Sequence, residues 1–99
     1  MTERLDIPLS ERAAHLRTAI VRTARRLRQE AQKAVAGLTE REVEVLALLG
    51  QGMSNADVGA KLHMSEATVK TYVSRLLAKL GLTNRVQAAL LARDAGIAG

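Results

Sequence analysis

Residues 65–81 read SEATVKTYVSRLLAKLG, and this stretch decides the fold. At about 100° per residue, Val69, Tyr72, Val73, Leu76, Leu77 and Leu80 fall on one side, the spacing of an amphipathic helix with a buried face. Ser65 is an N-cap type just ahead of it, and Gly81 suits its end. The opposite side presents Ala67, Thr71, Ser74 and Ala78, with Lys70 and Arg75 on its shoulders. A helix turned only to water usually carries long charged side chains there. Small and short polar groups instead let another surface come close. A helix lying in a DNA major groove needs that clearance, and Lys, Thr and Ser can hydrogen-bond base edges from it.

The neighbouring segments supply the context. GQGMSN (50–55) ends one helix and begins the next, with Ser54 as cap and Asp57 at its third position. That helix is short, ending near Leu62, and HMS (63–65) makes a tight connection to the longer one. A short helix, a three-residue turn and a longer helix form a helix-turn-helix, whose second helix enters the groove while the first braces it. Ser54, Asn55, Ser65 and Thr68 stand at helix starts, where hydroxyls and N–H groups hold phosphate oxygens. Simple capping is the alternative for each, and the two uses can coexist.

Working outward, LTERE (38–42) predicts a capping box from Thr39 and Glu42, followed by a core face of Val43, Val45, Leu46, Leu48 and Leu49. TNRVQ (83–87) predicts the same box at the last helix, with Asn84 as cap and Gln87 three residues on. At the other end, a long helix is predicted from Ser10 to about Val35, before Gly37. Ala13, Leu16, Ile20, Ala24, Leu27, Ala31 and Ala34 form a stripe along it at steps of three or four, suited to a partner helix. Leu16, Ile20 and Leu27 are therefore candidate dimer contacts. Arg22, Arg25, Arg26 and Arg28 lie off the stripe, as a solvated face or as contacts to phosphate or an acidic partner.

Ninety-nine residues with 47% hydrophobic content suffice for one small domain. No β-branched alternation suggests strands, so the expected fold is all-α: a compact four-helix helix-turn-helix domain over 37–99, preceded by a long amphipathic helical extension over 1–36. Cysteine is absent, which excludes disulfides and thiolate metal sites. His15 and His63 lack metal-ligand spacing, and no nucleophile–base pair or Gly-rich phosphate loop occurs. An enzyme, a metal or a cofactor is not expected. No apolar run approaches the ~18 residues of a membrane span, and MTERLDIPLS lacks the order of a signal peptide. The expectation is a soluble, cytoplasmic chain without a membrane partner.

The net charge of +5 and a pI near 10.5 favour a polyanionic partner. The excess is uneven: residues 1–36 hold eight Arg or Lys against four acids, and residues 37–99 seven against six. Tyr72 is the only aromatic residue, so single-strand and RNA modes that depend on stacking are disfavoured.

Taken together, LTEREVEVL, SN before the short helix, SEATVKTYVSRLLAKLG and NRVQAA make the chain from Leu38 to about Ala95 resemble the LuxR/GerE-type helix-turn-helix domain, also found in NarL-type response regulators. The resemblance implies that Lys70, Thr71 and Ser74 face the bases. It implies that Thr68, Tyr72 and Arg75 lie near the DNA backbone, with Ser54, Asn55 and Lys79 as further phosphate contacts beside Ser65. It implies a dimer contact through the final helix at Val86, Ala89, Leu90 and Arg93, and hence two-fold binding to double-stranded DNA. Three residues depart from the family pattern: Gly59 for a usual Ala, Tyr72 for a common His, and Ser74 where some relatives carry Lys. Residues 1–36 fall outside this likeness and are too few for a receiver or ligand-sensing domain. LRTAIVRTARRLRQEA (16–31) is weakly similar to the first helix of MarR-type regulators, which serves their dimerisation.

The expected function is a homodimeric transcriptional regulator that reads double-stranded DNA through the helix at 65–80. Two alternatives remain: a sigma-factor-like region with RNA polymerase as partner, and a helical protein–protein interaction module in which the helix-turn-helix is purely structural. The near-neutral balance of residues 37–99 is the best argument for the latter.

Overall fold

The computed structural model describes the backbone of residues 9–98 and the side chains of residues 21–98. It contains five helices and, among the described residues, no strand: α1 (Leu9–Ala36), α2 (Glu40–Gly50), α3 (Asn55–Leu62), α4 (Glu66–Leu80) and α5 (Arg85–Asp94). The all-α, helix-turn-helix expectation holds.

Local chemistry sets most of these boundaries. Thr39 and Glu42 form a reciprocal box at the start of α2: Thr39 N donates to Glu42 Oε1 at 2.8 Å, and Glu42 N donates to Thr39 Oγ1 at 3.2 Å. Ser54, Ser65 and Asn84 cap α3, α4 and α5 by accepting from the backbone N–H three residues on. Each such cap stabilises its helix by about 1 kcal/mol. Gly81 ends α4 in the left-handed conformation, φ 68°, where a Cβ would be penalised. His63 plays the same part for α3 at φ 57° with a side chain present, the one described non-glycine residue at positive φ. Its backbone turns the chain from α3 to α4.

Two sequence expectations need correction. The chain is already helical at Leu9, so Ser10 lies within α1 and is not its cap. At α5 the box is displaced by one residue: Gln87 Oε1 accepts from Thr83 N at 2.7 Å and from Thr83 Oγ1 at 3.1 Å, instead of from Asn84 N. The long glutamine side chain reaches the nearest free donors, and these belong to the residue before the cap.

The core joins α2, α3, α4 and α5 through Val45, Leu46, Leu48, Leu49, Val58, Val69, Val73, Leu76, Ala88 and Ala92. Val43, expected in that core, is half-buried. α2 packs most extensively on α5, and α3 on α4. Two glycines make these approaches possible. A Cβ on Gly50 would stand 2.6 Å from the Ala98 methyl and 2.8 Å from that of Ala92. A Cβ on Gly59 would overlap the Met64 carbonyl oxygen, so this helical glycine, which costs about 1 kcal/mol relative to Ala, lets the turn fold tightly against α3.

α1 stands apart. The molecule is 63 Å long but only 22 by 20 Å across. α1 touches the rest through α5, with Ala31 buried and Val35 packed at the core's edge. Residues 21–30 are all exposed, as is Ala34, the last member of the predicted stripe. The helix turns away from the domain one residue off that stripe, burying Val35 in its place. Leu16 and Ile20 lie outside the described side chains.

Candidate nucleic-acid interface

The two faces of α4 separate cleanly. Val69, Val73 and Leu76 are buried, while Ala67, Lys70, Thr71, Ser74, Arg75 and Ala78 are exposed. Lys70, Ser74 and Arg75 are bonded to no other described side chain or backbone group, so their donors are available. Thr71 differs: its hydroxyl donates to Ala67 O at 3.2 Å, leaving it an acceptor towards an incoming partner. Tyr72 is half-buried against the core rather than raised from the surface.

At the start of α4, Ser65 Oγ and Thr68 Oγ1 lie 2.8 Å apart, and Ser65 also caps the helix. At the start of α3, Ser54 is exposed and occupied with its own cap. Asn55 beside it is half-buried, with its Oδ1 held at 2.9 Å by Arg85 Nη1. Both helix starts therefore present N–H groups and short polar side chains on the exposed side of the turn. Each also carries an acid, Asp57 on α3 and Glu66 on α4.

Lys79 has an intramolecular use. Its Nζ lies 3.0 Å from Glu42 Oε1, tying the last turn of α4 to the capping box of α2. The hydrogen bond from the Thr39 backbone and then that from Lys79 hold the buried Glu42 carboxyl below the ordinary glutamate value of 4.5. Arg41 pairs with Glu44 at 2.9 Å and also donates to Leu62 O at 3.0 Å, joining α2 to the end of α3. Glu42 and Glu44 pair with Lys79 and Arg41 around α2, while Lys70 and Arg75, which make no ion pair among the described residues, lie on the outer side of α4.

On α5, Val86 is 64% and Leu90 54% exposed. With Ala89, Met53 and the stems of Arg85 and Arg93 they line an open groove of about 360 Å³. Arg93 Nε donates to Gly50 O at 3.3 Å, which steadies one wall. Leu27 on α1 is 50% exposed, one helical turn before the buried Ala31.

Sequence reasoning passed over Arg41 and Arg85, whose guanidinium groups tie separate helices together. For Arg85 a signal existed: a cation at the first position of a helix opposes the helix dipole. Its partners, 30 and 32 residues away, carry no local pattern.

The sequence model of the luxR family of bacterial regulatory proteins matches residues 36–92. Among curated proteins, the chain is 43% identical over 86 residues to the DNA-binding transcriptional activator DevR/DosR of Mycobacterium tuberculosis, covering 87% of this chain and 38% of that protein. It is 47% identical over 60 residues to the transcriptional regulatory protein LnrK of Bacillus subtilis (61% and 27%). It is 39% identical over 69 residues to LiaR of the same organism (68% and 33%). The chain thus spans well under half the length of these relatives. An alignment of 86 residues exceeds the 63 that follow Ala36, so the likeness to DevR/DosR takes in part of residues 1–36.

Proposed function

The chain belongs to the luxR family of bacterial regulatory proteins, and on that premise we propose that it binds double-stranded DNA sequence-specifically and regulates transcription. The observation that carries this reading is the outer face of α4, where exposed Lys70 and Ser74 have their donors free, beside Thr71 as an acceptor. α4 lies in the major groove, with Lys70, Thr71 and Ser74 towards base edges. Arg75, Thr68, Ser65, Ser54 and Asn55 lie along the phosphates. Tyr72 and Lys79 reach the backbone only as far as their intramolecular packing allows. Few of these contacts are cationic, so a single copy binds modestly and with a shallow salt dependence.

A second copy supplies the remaining affinity. The exposed apolar patches at Val86, Ala89 and Leu90 on α5, and at Leu27 on α1, favour a homodimer on a roughly palindromic site. Arg93 borders the α5 patch, and Leu16 and Ile20 continue the α1 stripe.

Selection from a random double-stranded DNA pool at two salt concentrations tests this. The expected result is an enriched two-fold motif that is lost with Thr71→Ala plus Ser74→Ala. Lys70→Ala weakens binding to the motif by about 1–3 kcal/mol if Lys70 contacts a base. Uniform, salt-sensitive binding without a motif would move the affinity to the arginine-rich α1. No binding at either salt would put the interaction-module reading first, and co-purification with RNA polymerase core would favour the sigma-like one.

A further inference from the structure

Arg85 opens α5, yet its guanidinium reaches away from that helix. Nη1 donates to Asn55 Oδ1 at 2.9 Å, and Nη2 donates to Met53 O at 2.8 Å. These acceptors flank Ser54, whose hydroxyl caps α3. One planar fork therefore fixes the three residues through which the chain enters that helix.

Two features go beyond what holding a loop requires. The first turn of α5 contains no acid, and among the described residues the half-buried Arg85 makes no ion pair. Its charge therefore adds to the positive end of α3 instead of being neutralised. The fork also decides how Asn55 is presented. Only the carboxamide oxygen can accept from Arg85, so Nδ2 points the other way, and it donates to no other described group.

We propose that Arg85 is a positioning residue for DNA binding: by holding Asn55 Oδ1 and Met53 O, it aims Asn55 Nδ2 and the first N–H groups of α3 at a phosphate without touching the DNA itself. The inference rests on the reading of the α3 start as a backbone contact.

The test measures affinity for the most enriched duplex of the random pool, at a temperature well below each variant's melting point. Arg85→Lys keeps the charge but cannot span both acceptors. The expected result is a loss of about tenfold, the scale of one hydrogen bond to a charged group. Asn55→Ala should lose a similar factor, and the double variant less than the two losses combined, because both act on the same phosphate contact. Asn55→Asp keeps an acceptor for Arg85, and so keeps the fold, while removing the donor and facing the phosphate with negative charge. It should melt no lower than the wild type and bind at least tenfold more weakly, by the same measure.

Losses that add in the double variant would overturn the proposal, since Arg85 would then be a direct contact or a purely structural one. Wild-type affinity in Arg85→Lys beside a loss in Asn55→Ala would overturn it while leaving the α3 contact standing. Wild-type affinity in both Asn55 variants would remove that contact and the inference with it.

Discussion

Glu42 serves two partners with one carboxylate: it closes the capping box on Thr39 N and receives Lys79 from the far end of α4. Its proton affinity is lowered in the fold, so the unfolded chain binds the proton more readily as pH falls. The stabilisation is fully present above the unfolded value near 4.5 and is lost as pH drops through the lower folded value. Melting temperature measured from pH 7 to pH 3 should therefore decline below about pH 4.5, and Glu42→Gln should flatten that decline while lowering stability at pH 7. A decline of equal steepness in Glu42→Gln would assign the acid sensitivity to other carboxylates. At this same scale, the side chains facing outward from α4 were legible from periodicity alone, because Val69, Val73 and Leu76 leave Lys70, Thr71 and Ser74 no other side. The pairing of Lys79 with Glu42 was not legible: 37 residues separate them, and only the packing of α4 on α2 brings them together.

Among elements, α2 shows how little room the packing leaves. Gly50 is its last residue, buried where α5 and the segment after it cross, and its carbonyl takes the Arg93 bond. Gly50→Ala would force the methyl groups of Ala92 and Ala98 apart. At a helix end the gain in propensity is small, so the expected cost is about 1–2 kcal/mol, in the usual range for overpacking. Thermal melting should show it as a fall of roughly 4–8 °C for each kcal/mol in a domain of this size. An unchanged melting temperature would mean that the segment around Ala98 moves aside at no cost. Element boundaries followed from local chemistry wherever a side chain could reach its own backbone, as at Thr39, Ser54, Ser65 and Gly81. The box at α5 departed from expectation because Gln87 had a choice of donors, and a pattern of residue types does not say which one it takes.

For the whole molecule, the separation of α1 from the domain matters most. A helix with residues 21–30 entirely exposed gains little from the chain's own core, and helices in water are stabilised chiefly by packing. If a second copy covers Leu27 and the α5 patch, Leu27→Glu and Leu90→Glu should each raise the dimer dissociation constant about tenfold or more, since a charge is then buried without a partner. Sedimentation equilibrium over a range of concentrations reads this directly. A wild-type chain that stays monomeric throughout would remove the two-fold reading of DNA binding. No helix among the described residues is long and apolar enough to cross a membrane.

The sequence by itself determined five helices, the N-caps of α2 to α5 and the buried face of α4, because 3.6-residue periodicity and capping act over a single turn of chain. It also determined which face of α4 is free. Tertiary structure alone decided how the charges reach across the fold: Glu42 takes Lys79, Arg41 holds the end of α3, Arg85 holds the entrance to α3, and Lys70 and Arg75 are left unpaired among the described residues. Those pairings join residues far apart in the chain, and no local pattern encodes which distant carboxylate or carbonyl a flexible cation will find once the helices have packed.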